Sequence, residues 1–523
     1  MRFLPVNRRS FMVELQNLWE TQGLLRALRE TSLPGVEEII PAARTLLLRF
    51  TPEIVKAEAL TGQIARLEID LAPPPDGPLV EIPVVYDGED LAEVSALTGL
   101  NVAEMIRRHG EAEYLVAFCG FAPGFGYLVG GDAALAVPRR KTPRTRIPAG
   151  AVALAGEFTG IYPRASPGGW QLIGTTPVKM WDLARTPPAY FQPGYRVRFV
   201  KLGGPERAFY MPMAEAPKVK ASAVQFTILA APLPGLLQDL GRFGEAGQGV
   251  STSGALDRSA LKSANRLVGN DEATACLELT AGISFRSNGA AVIGLAGAPR
   301  GIRLCSAAGH VLRAQTYAPI ALEAGDEITL ANAEAGVCSY LAVRGGFEIE
   351  KTLGSASRDT LAEIGPEPVG VGRVLAVREA ANLTAVSLHE SPSFAFPKSD
   401  ETITLDLTLG PRADWFTEEA LELLANTDWQ VTPQSNRIGL RLTAPPSLAR
   451  ARTQELPSEA VVRGAVQVPA DGKPLLFLAD HPLTGGYPVI GVVAEYHLNL
   501  VGQIPVGAKI HFRPLAPFQD ITP

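Results

Sequence analysis

Asp480-His481 lies just ahead of Thr484-Gly485-Gly486-Tyr487-Pro488, with Gln467-Val468-Pro469 a short way upstream. A carboxylate, an imidazole, an amide, two hydroxyls and glycine backbone that a ligand can approach closely therefore fall in one stretch. Asp and His suit proton transfer and its orientation, and glycine N–H groups suit an anion. The plainer reading makes Asp480 a turn cap and His481 a turn residue beside Pro482. The convergence of so many useful groups favours chemistry, with Asp480 and His481 as the catalytic candidates. Ser435-Asn436-Arg437 adds an amide and a fixed cation. A second group is basic: Arg139, Arg140, Lys141, Arg144 and Arg146 pack five cations into eight residues, followed by Tyr162. Guanidinium pairs bidentately with carboxylate or phosphate, so Arg139, Arg144 and Tyr162 are candidates for an anion or nucleotide. The alternative is a strand with a charged outer face. Arg242 with Asp257 reads as well as a structural ion pair as a catalytic one.

Several chemistries are excluded. The chain has no GxxxxGK[ST] loop, no GxGxxG after a strand, no GxSxG elbow and no HExxH, and no metal ligand set is expected. Pro177-Val178-Lys179-Met180 lacks the methionine that precedes a biotinylated lysine. A net charge of −6 gives no case for nucleic acid. Four cysteines without CxxC spacing read as buried thiols of a cytoplasmic protein. Asn7-Arg8-Arg9-Ser10-Phe11-Met12 carries twin arginines, but Glu14 and Gln16-Asn17 interrupt the apolar run an export signal needs. Leu115–Gly131 is too glycine-rich for a membrane span.

The elements that must position these groups are mostly short strands. The 51 glycines and 43 prolines are dispersed, which points to many turns. Residues 11–86 read as β-α-β-β-α-β, the ferredoxin-like split motif: strand Phe11–Leu15, a helix with the stripe Leu18, Leu24, Leu25 and Leu28, strands Val36–Ile40 and Thr45–Phe50, a helix capped by Thr51-Pro52 and ended by Pro73-Pro74-Pro75, and strand Pro78–Tyr86. Two short helices capped by Asp90 and Asn101 follow. The chain echoes itself. Thr159-Gly160-Ile161-Tyr162-Pro163 returns as Thr484–Pro488, and Pro193–Phe199 is matched by Val506–Phe512 and by Ala324–Leu330. The expectation is a mainly β protein: a ferredoxin-like α+β domain at 1–87, a barrel at 88–205, a linker at 206–223, a β-barrel unit at 224–398 and another at 399–523. The three β-units should end near Phe199, Leu330–Val343 and Phe512.

Phe121–Leu128, Pro138-Arg139, Pro143-Arg144, Pro148-Ala149-Gly150, Thr159–Pro163 and Ser166-Pro167-Gly168-Gly169-Trp170 closely resemble the KipI family, also called allophanate hydrolase subunit 1 and the B component of 5-oxoprolinase. Gln238–Arg242, Ser253-Gly254-Ala255, Asp257, Leu267–Asn270, Gly410-Pro411, Ser435–Arg437, Gln467–Pro469 and Thr484–Pro488 resemble KipA, the C component of 5-oxoprolinase. The resemblance spans nearly the whole chain in the order of a KipI–KipA fusion. It implies cyclophilin-like barrels and a relation to the carboxyltransferase part of urea carboxylase and urea amidolyase. It also implies ATP- and Mg2+-dependent opening of 5-oxo-L-proline to L-glutamate with a LamB/YcsF-type third subunit. In that setting Asp480 would accept a proton, with His481 orienting it or titrating near neutrality, and Arg437 would hold the substrate carboxylate. Asn436, Gln467, Thr484, Gly485, Gly486 and Tyr487 would line the lactam pocket. Phe158, Thr175 and Tyr195 stand where that family has Gln, Arg and Asp, and Ser251-Thr252 where it has prolines, which shifts the expected site toward the second half. The alternatives are a regulator that binds a sensor histidine kinase, and a carboxyltransferase acting on a urea-like substrate. A homo-oligomer stays open.

Overall fold

In a computed structural model the chain is described over residues 1–71, 77–140, 142–202, 224–381 and 383–523. The expected linker 206–223, the triple proline and Lys141 lie outside these residues. The N-terminal sheet has four antiparallel strands in the spatial order Arg2–Asn7, Ser10–Glu14, Thr45–Phe50, Val36–Pro41. Helices Leu18–Thr31 and Ala57–Ile64 accompany it. Asn17 caps the first helix by accepting from Glu20 N at 3.0 Å, and the stripe Leu18, Leu24, Leu25 and Leu28 is buried as its spacing predicts.

Two details of the split motif change. The strand beside Ser10–Glu14 is the chain's own start, Arg2–Asn7, while Leu79–Val84 leaves this sheet and pairs in parallel with Arg196–Lys201. The layering and strand order of the ferredoxin-like motif are kept, with the edge position filled from the other end. The second helix begins at Ala57, because the Thr51 hydroxyl is bonded to Glu37 Oε1 at 2.7 Å and caps nothing. Asp90 likewise precedes a helix, Leu91–Thr98, without capping it.

The next unit is a curled seven-stranded sheet whose strands run from Leu79–Val84 to Arg196–Lys201. The last unit, Thr402–Pro514, is a closed seven-stranded barrel filled by side chains such as Leu405, Trp429, Val466, Ile490 and Phe512. Both use one closing device: the first and last strands lie in parallel, Leu79–Val84 on Arg196–Lys201 and Thr402–Leu409 on Lys509–Pro514. The echo of Arg196–Phe199 in Lys509–Phe512 is this shared closing strand. The third echo differs. Glu327–Ala333 lies between antiparallel neighbours in a six-stranded sheet, and a five-stranded sheet completes the unit from Val224 to Val377. The apolar faces of these two sheets share one core, so this unit is a pair of sheets and not a closed barrel.

Candidate functional site

Arg437 sits in the turn before strand Gly439–Thr443, and Asp480 follows strand Leu475–Phe477. Asp480 N donates to Arg437 O at 3.1 Å, which fixes the two loops side by side. The Arg437 guanidinium grips Asp480 through Nε (2.9 Å to Oδ2) and Nη2 (3.2 Å to Oδ1). Its Nη1 pairs with Glu278, and Nη2 also donates to Gly254 O at 2.6 Å. Asp480 accepts three more bonds, from Ser253 Oγ at 2.6 Å and from Thr360 N and Oγ1 at 2.9 and 2.7 Å. Burial pushes the Asp480 carboxyl up, but Arg437 and these donors outweigh it and hold the group below the usual carboxylate range. Asp480, fully buried with both oxygens engaged, is a poor proton acceptor and a strong anchor. Arg437 is committed to two carboxylates, joining the barrel to the sheet pair that carries Glu278 on strand Cys276–Leu279.

His481 points elsewhere. Its Nδ1 lies 2.8 Å from Pro482 O; a carbonyl only accepts, so Nδ1 carries the proton and Nε2 is left as an acceptor. Burial lowers its pKa to about 4, which keeps the ring neutral at pH 7. The ring lines a cavity of about 470 Å³. One wall of that cavity comes from the N-terminal sheet, with Arg9, Glu37, Glu38 and Arg49, and the other from the second half, with Arg242, Ser251–Ser253, Arg258 and Arg463. Asp359 stands behind it, its carboxyl pushed up to about 6 by burial and by the Asp480 charge. Its Oδ1 accepts from Leu361 N and Ala362 N at 2.9 and 2.8 Å, and its Oδ2 from Ser251 Oγ at 3.3 Å.

The remaining sequence candidates do not line this cavity. Thr484 and Gly485 pair with Ala460 and Glu459 in a two-stranded ribbon. Thr484 Oγ1 accepts from Phe121 N at 2.9 Å, pinning one half to the other. Gln467 Nε2 donates to Tyr487 O at 3.0 Å, and Tyr487 lies under the Arg450 guanidinium. Asn436 is exposed and accepts from Ile438 N at 2.9 Å as a turn cap. The basic cluster is split. Arg144 holds Asp90 bidentately at 2.9 and 2.6 Å, and Arg140 pairs with Asp90 and Glu93, so neither is free for an anion. Arg139 reaches the other half instead: a Cβ on Gly486 would lie 2.6 Å from its Nη1. Tyr162 is buried on the same side.

The Arg242–Asp257 ion pair does not form. Asp257 caps helix Arg258–Val268 by accepting from Ala260 N at 3.0 Å and takes Gln503 Nε2 at 3.0 Å. Arg242 gives a side-chain hydrogen bond from Nη2 to Ser357 O, while its Nε and Nη1 have no partner among the described residues. Glu278, Thr360, Arg258 and Arg463 carry no signal in the sequence, since nothing local marks a side chain whose partners lie far along the chain. Among the described residues no cluster of His, Cys, Asp and Glu could hold a metal ion. No helix among them is long and apolar enough to cross a membrane.

Residues 1–191 match the family model for carboxyltransferase domain, subdomain C and D, and residues 248–514 that for subdomain A and B. The chain is 43% identical over 179 residues to the B component of 5-oxoprolinase from Escherichia coli O157:H7, covering 33% of this chain and 82% of that one. It is 33% identical over 279 residues to the C component of 5-oxoprolinase from Escherichia coli K12, covering 53% and 86%. Urea amidolyase of Saccharomyces cerevisiae is 32% identical over 315 residues, covering 55% of this chain and only 17% of the yeast protein. The crystal structure of TTHA0988, 33% identical, matches with a TM-score of 0.82 over 97% of this chain and 99% of that one. The chain belongs to the carboxyltransferase-domain family, its C/D half similar to the B component of 5-oxoprolinase and its A/B half to the C component.

Proposed function

We propose that this chain is the fused B/C component of an ATP-dependent 5-oxoprolinase that works with a LamB/YcsF-type subunit, and that the lactam is held in the cavity beside His481. The observation that carries the reading is that both halves wall this one cavity, so a B-like and a C-like unit complete a single site. The geometry reassigns roles within the expected set. His481, which lines the cavity and keeps Nε2 as an acceptor, is suited to the lactam N–H or to a water proton. Asp480 is a positioning residue: it holds Arg437 and Ser253, and through them the wall. Opening the ring adds water oxygen at the lactam carbonyl carbon, breaks the C–N bond and returns a proton to nitrogen. Donors preset around the carbonyl oxygen contribute most of the stabilisation in such a step. ATP with Mg2+ supplies the driving force when bound.

The test is glutamate release from 5-oxo-L-proline by the purified chain, with and without its cognate third subunit and ATP–Mg2+. Activity is expected only when all are present; full turnover by the single chain, or none with any cognate partner, refutes the reading. The similarity to urea amidolyase favours a second reading, carboxyl transfer to a urea-like substrate. Transfer from carboxybiotin to urea without oxoprolinase activity would select it. A kinase pulldown addresses the regulatory alternative.

A further inference from the structure

Five arginines line the cavity, and they fall into two sets. At the N-terminal sheet Arg9 meets Glu37 (3.2 Å) and Glu495 (3.7 Å), and Arg49 meets Glu37 (2.9 Å) and Glu38 (3.5 Å). These cations are neutralised where they stand. Arg242, Arg258 and Arg463, on the opposite wall, have no carboxylate at salt-bridge distance among the described residues. Arg242 is 2% exposed, and its Nε and Nη1 lack a hydrogen-bond partner there. Arg463 spends its Nη groups on the carbonyls of Ala255, Leu256 and Leu498, and its Nε has none. Arg258 Nε is unpartnered among the same residues. Arg242 is buried and the other two are partly buried; carboxylates such as Asp359 act on them only from beyond salt-bridge distance, and burial outweighs that help and lowers all three pKa values.

Arg258 is misplaced in a second way. It is the first residue of the eleven-residue helix Arg258–Val268, where the helix dipole already concentrates positive charge. Asp257 caps that start by accepting from Ala260 N, and Asn499 Oδ1 accepts from Arg258 N, both at 3.0 Å, so a further anion would have to be held by the side chains. Burial and the neighbouring Arg463 and Arg49 push the Arg258 guanidinium down to about 9, the mark of a cation set among cations. The Phe243 ring touches both sets, its centroid 5.5 Å from the Arg49 guanidinium and 5.9 Å from that of Arg258.

We propose that Arg242, Arg258 and Arg463 form a site for a compact polyanion of the phosphoryl class, bound in the cavity between the N-terminal sheet and the A/B half. Three cations with idle nitrogens and no carboxylate in contact among the described residues call for more charge than one carboxylate carries. Idle guanidinium nitrogens from three separate segments, the Nε alone in the case of Arg463, suit a tetrahedral group with oxygens in several directions better than a planar one. Free phosphate and the terminal phosphoryl group of a nucleotide share this chemistry. The site stands independently of the oxoprolinase reading, because it concerns binding by the isolated chain with no lactam present.

The experiment is titration calorimetry and thermal melting of the full chain, purified without phosphate, at constant ionic strength. Inorganic phosphate should bind saturably and raise Tm, and Arg258→Gln should weaken that binding at least tenfold. Without phosphate, Arg258→Gln should melt no lower than the parent, since it removes a partly buried cation with no carboxylate in contact among the described residues; Arg463→Gln serves as a second variant with the same expectation for binding. Displacement of phosphate by ATP, with the same dependence on Arg258, assigns the group to a nucleotide, and failure of ATP to compete assigns it to free phosphate. The proposal is overturned if phosphate does no more than chloride at equal ionic strength. Unchanged affinity in both variants, or binding of L-glutamate but not phosphate, overturns it equally.

Discussion

Arg437 and Arg242 are both almost wholly buried in the A/B half, 7% and 2% exposed, yet they are treated in opposite ways. Arg437 is enclosed by two carboxylates and a carbonyl; among the described residues Arg242 has one carbonyl and two idle nitrogens. The first arrangement is finished without a ligand, and its worth lies in holding the barrel against the sheet pair. The second is unfinished and opens on a cavity. Burial of a charged group therefore does not mark a binding site in this protein. What marks it is burial with hydrogen-bonding capacity left over.

The largest effect expected from this contrast is at Arg437. Arg437→Ala leaves Asp480 and Glu278 buried without their cation, which costs about 3–5 kcal/mol. Denaturant unfolding should show that loss, and a variant as stable as the parent would mean that the network is not the anchor described. Next is His481. It lines the cavity with Nε2 left as an acceptor, and His481→Ala should lower turnover of the assembled enzyme by about 10²-fold, the usual scale of a lost acid–base group, with the melting temperature little changed. The ring's pKa of about 4 lies below its unfolded value near 6.5. The neutral form is thus favoured by folding, and the stability it contributes is full above pH 6.5 and lost as pH falls toward 4. Activity carried by this ring should stay flat from pH 6 to 8, and a sharp inflection near 6.5 that disappears in the variant would contradict the assignment.

Asp359 lies between the two extremes, near Arg242 but not paired with it. Its folded pKa of about 6 stands above the unfolded carboxylate value near 3.9, so the charged form is penalised in the fold. Asp359→Asn should be the more stable protein at pH 7. As pH falls through 6 the wild-type group takes up its proton, and the difference should shrink toward pH 4. Denaturant midpoints at pH 7, 6, 5 and 4 measure this. A gap that widens on acidification would show that Asp359 is held ionised by Arg242.

What the sequence allows follows the range of the interactions. Asn101 caps its helix as expected, because a cap reaches only three residues ahead, but Thr51 and Asp90 look alike locally and cap nothing, Thr51 being bonded to Glu37 instead. The repeated ends Arg196–Phe199 and Lys509–Phe512 betray a common closing strand, since alternation within a strand is local. The partner of Leu79–Val84 is not legible, because strand pairing is decided by what lies alongside and not by the strand itself. At the site, motifs mark Asp480, His481 and Arg437, but they do not give the direction of each side chain. One dipeptide sends Asp480 inward to Arg437 and His481 outward to the cavity. Arg258 and Arg463 carry no local signal: one begins a helix and the other follows Val461-Val462, and only the folded chain brings them to one cavity.

The smallest expected effect tests the Thr484–Pro488 loop, where the motifs alone would put the substrate pocket. Gly486 has room for a Cβ only if Arg139 moves, because Nη1 occupies that space at 2.6 Å while the next atom of another residue's backbone, Leu456 O, is 3.6 Å away. The obstructing atom is the far end of a flexible side chain, so Gly486→Ala should cost less than about 1 kcal/mol, below the usual range for overpacking a core. If the obstruction is Arg139 alone, Arg139→Ala should remove that cost, and the double-mutant cycle should give a coupling of similar size and opposite sign. The cycle is specific to contact across the two halves: Arg139 belongs to the C/D part and Gly486 to the A/B part. A Gly486→Ala cost above about 2 kcal/mol, at the upper end for overpacking, that Arg139→Ala leaves untouched would mean that the glycine is required by its own backbone, and that the loop owes nothing to the arginine opposite it.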